Sequence, residues 1–272
     1  MTTGRGDSSA SARGHAFSLH LLRAAYVYAK HILANVKDPK IAVLMQNDDY
    51  GKDYYNGFRQ GLGADADKLI VAHVTYEVTD PTIDSQMIQL KNSGANVFFN
   101  ITTPKFAAQA IRKAAEIGWK PEHYLNNVSA SVGSVIKPAG YENAQGIITA
   151  YYIKDPTDPQ FQNEKDVVEW KAFMQKYYPR GNLEDSSNAY GYAVSSLLHI
   201  VLKQCGDDLT RANVMKQAAN LKNIQLPMVL EGIKINTSPT DFYPIQAVRL
   251  ARFKGEKWEL FGDILSNEGH TN

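Results

Sequence analysis

Short all-apolar runs in this chain alternate with stretches in which apolar residues recur every three or four positions. Residues 41–45 form an unbroken apolar run, as suits a strand in a sheet covered on both faces. After the turn Asp48-Asp49-Tyr50-Gly51, apolar residues fall at Tyr54, Phe58 and Leu62, a helical spacing. Strand, loop and helix together make the opening of a βαβ unit. The pattern then repeats. Residues 69–76 read as a second strand, followed by a turn at Asp80-Pro81 and a helix carrying Met87 and Leu90, with Asp84 as its expected cap and Gly94 as its stop. Residues 96–100 read as a third strand, and Phe106, Ala110, Ile111 and Ala114 mark a helix that Gly118 ends. Residues 122–125 and 146–152 read as fourth and fifth strands. A helix over residues 19–33, with Leu22, Tyr26, Ala29 and Leu33 on one face, precedes them all. This alternation predicts an α/β fold, a doubly wound parallel sheet with helices on both faces, over residues 20–152.

Beyond residue 152 the rhythm changes. Residues 154–160 hold two prolines and two aspartates and read as a connector. Helices are predicted over 161–178, 187–204 and 210–221, the last capped by Thr210, with no strands between them. Short strands are predicted over 231–236, 245–253 and 257–261, the last two forming a hairpin about Gly255. The three helices have apolar faces but no sheet of their own to cover.

Composition narrows the function. The chain has 272 residues, 44% hydrophobic and 21% charged, as in a soluble globular protein. A net charge of +1 without a dense Lys/Arg cluster argues against nucleic acid and anionic membrane surfaces. The single cysteine, Cys205, excludes an internal disulfide and a multi-thiolate metal site. The longest strongly apolar run, residues 194–202, falls short of the roughly 20 residues that a bilayer span needs. Residues 1–14 are rich in Ser, Gly and Arg, lack the apolar core of a secretory signal, and are expected to be disordered.

Catalytic motifs are missing. The chain holds no G-x-S-x-G elbow, Walker A loop or H-E-x-x-H, and Gly57, Gly61 and Gly63 do not fit G-x-G-x-x-G. The histidines are scattered. The expectation is therefore a protein that is not an enzyme, with no cofactor and no metal. The strand ends are more informative, because ligands gather outside the carboxyl ends of parallel strands. Asn47, Asp48, Asp49 and Tyr50 follow the first strand; Glu77 to Asp80 follow the second; Asn100, Thr102 and Thr103 follow the third; Asn126, Asn127, Ser129 and Ser131 follow the fourth. Amides, hydroxyls and a phenol in this arrangement can orient a small polar ligand, although the same residue types are also ordinary loop formers.

The segments IAVLMQNDDYGKDYYNGFRQGLG, VTDPTIDSQMIQLKNSGANVFF, PKFAAQAIRKAAEIGW, PAGYENAQGIITAYY and SPTDFYPIQAVRLARFKGEKWELFG carry a resemblance that spans about residues 26–262. The chain resembles the leucine/isoleucine/valine-binding family, the type I periplasmic binding proteins of branched-chain amino acid ABC importers. The resemblance implies two α/β lobes closing by a hinge around a small ligand, no catalysis, a periplasmic location and an ABC permease as partner. It places Tyr50, Thr102, Thr103, Asn127 and Ser129 at the ligand, and Asn47 and Asp49 of the same first loop join them as candidate contacts. Amino-acid binders of this family put an acidic residue for the ligand ammonium in the segment matching residues 126–129. Here that segment reads Asn-Asn-Val-Ser, which puts an α-amino acid in question and brings in a neutral or carboxylate-bearing apolar molecule, aromatic or aliphatic. The resemblance further implies that the chain enters just before the second lobe. Residues 1–19 then stand in place of a lost part, 20–152 form the second lobe, 153–160 a crossover linker, 161–240 the helical remnant of the first lobe, and 241–272 the C-terminal strands and tail. Without a signal peptide the chain as written would stay in the cytoplasm. A ligand-sensing regulatory domain on the same fold is the alternative, and an enzyme stands third.

Overall fold

The structure is a computed structural model and describes residues 24–266. The expected N-terminal disorder, and the first five residues of the helix expected over 19–33, lie outside the described residues. Helix α1 occupies residues 24–35 within them. Strand β1 (Ile41–Gln46) is buried along its whole length, as its apolar run requires. Helix α2 (Asp49–Leu62) follows, then the short α3 (Ala66–Leu69), edge strand β2 (Ile70–Tyr76), α4 (Asp84–Asn92), β3 (Val97–Ile101), α5 (Pro104–Glu116), β4 (Glu122–Leu125), α6 (Lys137–Ala139) and β5 (Ile148–Tyr151). Helices α7 (Lys165–Tyr177), α8 (Ser186–Cys205) and α9 (Arg211–Ala218) come next, and β6 (Ala247–Lys254) and β7 (Lys257–Ser266) close the described chain.

The sheet has seven strands in the order β2-β1-β3-β4-β5-β6-β7. Strands β1 to β5 run parallel, and β6 and β7 join antiparallel. The C-terminal hairpin therefore extends the same sheet as residues 24–151, where the sequence division had set it apart. Because β1 lies between β2 and β3, the chain reverses its direction of travel there, which makes the β1/β3 crevice the topological switch point.

Helix α1 is bolted to the sheet centre by Tyr28. Its hydroxyl donates to the Leu125 carbonyl at 2.9 Å and accepts from the Ala150 N–H at 2.8 Å. Helices α1 and α2 approach closely at Gly61, where a Cβ would lie 2.6 Å from the Ala29 Cβ. Two expected caps come out differently. Thr210 does cap α9, its Oγ1 accepting from the Asn213 N–H at 3.4 Å. Asp84 instead becomes the first residue of α4 and pairs with Lys113 at 3.1 Å.

Residues 231–236 do not form a strand. Ile233 and Ile235 are buried in alternation, the pattern behind the expectation, but the segment makes only isolated bridges from Ile235 to Ile224 and Ile245. The three late helices are also less orphaned than their sequence suggests. Val167, Trp170 and Met174 of α7, and Ala189, Ala193, Val201 and Cys205 of α8, join one core cluster with α5, residues 130–147 and Trp258. Their other faces stay open: Phe173, Val194, Leu198 and Leu202 are each at least 40% exposed. Residues 152–154 run beside residues 228–230, with Leu230 N–H donating to the Tyr152 carbonyl at 2.9 Å and Lys154 N–H to the Met228 carbonyl at 2.8 Å. The Lys154 ammonium, nearly buried, is held between Glu164 and Asp166.

Candidate functional site

The site is built from the loops at the carboxyl ends of β1, β3, β4 and β5. The first of these loops turns tightly. Asp48 caps α2 by accepting from the Gly51 N–H at 3.0 Å, and a Cβ on Gly51 would sit 2.0 Å from the Gln46 carbonyl oxygen, so only glycine fits. This turn sets Tyr50 and Tyr54, one helical turn apart, over the sheet edge with their rings edge to face at 5.3 Å. The Tyr50 hydroxyl donates to Asn126 Oδ1 at 2.8 Å, and the Tyr54 hydroxyl donates to Asn127 Oδ1. Burial, followed by neighbouring phenols, raises both tyrosines well above their ordinary pKa, so both are neutral donors at physiological pH.

Asn126 ties the loops together. Its Nδ2 donates to the Asn100 carbonyl at 3.1 Å and to the Thr102 carbonyl at 2.7 Å. The Ser129 hydroxyl donates to the same Thr102 carbonyl at 2.6 Å, and the Thr102 hydroxyl donates to Asn100 Oδ1 at 2.6 Å. Beneath them, Asn100 Nδ2 donates to His123 Nε2 at 3.2 Å. His123 is buried and neutral; desolvation holds its pKa at about 3.

The expected site residues thus divide. Asn127 and Thr103 are half-buried at the sheet edge, and Tyr50 is beside them. Thr102 and Ser129 have no exposed surface, and their hydroxyls are used in tying the loops together. Asn47 and Asp49 are exposed, and Asn47 pairs with Glu77 at 2.6 Å.

The switch point itself is filled by side chains. The Tyr76 hydroxyl accepts from the Thr103 N–H at 2.9 Å and donates to Gln46 Oε1 at 3.2 Å, with the Thr103 hydroxyl against both. A half-open cavity lies one step along, over β4 and β5. It has a volume of about 180 Å³ and is lined by the backbone and side chains of Asn127, Val128, Ala130, residues 150–153, Ser186, Ser187 and Tyr190. That is below the roughly 300–1,000 Å³ of complete small-molecule sites. Sequence reasoning missed Tyr152, Ser186, Ser187 and Tyr190. Inspecting the end of the fifth strand as the others were inspected would have found Tyr152. The α8 residues come from a distant part of the chain and left no local signal.

The Periplasmic binding protein family profile matches residues 10–257. The chain belongs to that family. No curated protein matches the sequence. Among solved structures, a branched-chain amino acid ABC transporter protein from Thermus thermophilus with bound valine superposes with a TM-score of 0.74 at 16% identity, over 91% of this chain and 66% of that one. A possible leucine/isoleucine/valine-binding protein from Rhodopirellula baltica gives 0.71 at 16% identity, over 89% of this chain and 64% of that one. A leucine binding protein from Thermotoga maritima gives 0.69 at 15% identity, over 91% and 66%. At such identities the likeness is one of fold: the mostly parallel α/β sheet is that of the type I periplasmic binding proteins. The chain spans 66% and 64% of the length of the first two structures. Among the described residues no helix is long and apolar enough to cross a membrane, and no cluster of three or more His, Cys, Asp or Glu could hold a metal.

Proposed function

We propose that this periplasmic binding protein family member captures a small apolar amino acid or carboxylate in the periplasm and presents it to the permease of an ABC importer of the branched-chain amino acid class. The observation that carries the reading is the apolar cavity beside a rim of neutral hydrogen-bonding groups, at the carboxyl ends of parallel strands. Tyr50, Thr103 and Asn127 are its contacting groups in this reading, with Asn47 and Asp49 at its outer edge. Thr102 and Ser129 hold the loops in place. The rim carries hydrogen-bond donors and acceptors but no paired acid and base, which suits holding a solute rather than transforming it.

In this proposal the described strands and their loops supply one wall of the cleft, and residues 161–240 are returning helices that share a core cluster with it. The open outer faces of these helices are what supports this reading. Halving the contact energy of a micromolar site, about −8 kcal/mol, gives millimolar affinity. Native mass spectrometry of gently purified protein, followed by calorimetry with branched-chain amino acids and small aliphatic and aromatic acids, tests the reading. Weak but saturable binding of one of them is expected. Turnover of any of them, or micromolar binding by this chain alone, contradicts it.

A further inference from the structure

The cavity over β4 and β5 has a lining whose charge is informative. Its described side chains are alanines, a valine, an isoleucine, two serines, one asparagine and three tyrosines. None is cationic or anionic, and burial raises the phenols of Tyr151, Tyr152 and Tyr190 above their ordinary pKa, which keeps them neutral. The carboxylates beside it are already engaged, Asp155 with the lining Tyr151 and with backbone N–H groups, and Asp185 in capping α8. Asp155 has no exposed surface and accepts from the Val132 N–H at 3.0 Å and from the Thr157 N–H at 2.8 Å. Asp185 caps α8, accepting from the Ser187 N–H at 2.9 Å. Asn127 could turn its amide toward a ligand, but its Oδ1 already accepts from Tyr54.

We infer that this wall selects apolar solutes that carry no ammonium group. The inference rests on the solute-capture reading and narrows it. An ammonium pressed against these residues would lose hydration and find no charged acceptor among the described lining, whereas an aliphatic chain would be covered by Val128, Ile153 and the tyrosine rings. A polar head without positive charge can accept from Ser186, Ser187 or Tyr190 while its chain fills the cavity.

Three probes sharing one side chain separate the outcomes: leucine, 4-methylpentanoate and 4-methylpentanamide, titrated into the full chain and followed by ligand-detected saturation transfer. At least one deaminated probe is expected to bind about tenfold or more tightly than leucine. Asn127→Asp, which keeps the acceptor for Tyr54 and adds a charge of the right sign, is expected to raise leucine affinity about tenfold. Val128→Glu, on the exposed rim, makes the same test should Asn127→Asp fail to fold. Leucine binding as tightly as both deaminated probes overturns the inference and leaves solute capture standing, as does a folded carboxylate variant with no gain for leucine. No binding by any probe up to about 10 mM overturns solute capture itself, and the inference with it.

Discussion

Asn126 sits where three loops meet, accepting the Tyr50 hydroxyl and donating to the carbonyls of Asn100 and Thr102. Removing Tyr50 therefore has two effects, on the ligand wall and on the loop. Tyr50→Ala is expected to weaken solute binding by roughly 1–3 kcal/mol, read by calorimetry, and unchanged affinity would remove Tyr50 from the site. Tyr50→Phe keeps the ring and loses only the bond to Asn126, so its smaller loss separates the two contributions. His123 gives a prediction in pH. Its folded pKa of about 3 lies below the ordinary 6.5, so between those values the unfolded chain binds a proton that the folded chain does not. Its contribution to stability is complete above pH 6.5 and falls by about 1.4 kcal/mol per pH unit as acid is added through that window. Burial also lowers the pKa of His31 and His73, with the same sign. Urea midpoints from pH 7 to pH 4 should fall less steeply in His123→Gln than in the parent, and parallel curves would contradict the assignment. At this scale the sequence placed Tyr50 and Asn127 beside strand ends, and in the structure both are half-buried there. It did not reveal that Thr102 and Ser129 are turned inward, since burial depends on which loops converge.

The turn after β1 is the element on which the site depends most. Gly51→Ala forces a Cβ against the Gln46 carbonyl, and a loss of roughly 1–3 kcal/mol in thermal or chemical denaturation is expected. A neutral result would mean that the turn has room to rearrange. Strands β1 and β3 were legible from their apolar runs, because a parallel strand buried on both faces leaves a continuous signature. Residues 231–236 carry the alternation of a strand, and lack only a partner to form a ladder with. No local pattern reports a missing partner. Helix α8 was placed to within a residue at each end, but which face it buries was not legible, since small Ala189 and Ala193 turn inward while larger Val194 and Leu198 stay out. Hydrogen exchange should reflect this: strong protection in β1 and β3, and weaker protection along α8. Equal protection would show that α8 belongs to the same cooperative unit as the sheet.

Across the whole molecule, the open face of α8 and the cavity share Tyr190, which lines the cavity and starts the row Tyr190, Val194, Leu198 and Leu202. A contiguous apolar row of this kind favours self-association. Sedimentation velocity should show association growing with concentration, and Leu198→Glu should suppress it while leaving stability within about 0.5 kcal/mol. A parent chain that stays monomeric at high concentration would contradict this. The order of the sheet and the placement of the C-terminal hairpin were not legible, because pairing between β5 and β6 joins residues about a hundred positions apart. The central claim is that solute binds at the carboxyl ends of β1, β3, β4 and β5. Backbone amide shifts during a titration with 4-methylpentanoate test it most directly. The account predicts saturable shifts confined to residues 46–54, 102–103, 126–129, 150–153 and 186–190. Shifts centred elsewhere, or none up to about 10 mM ligand, would contradict it.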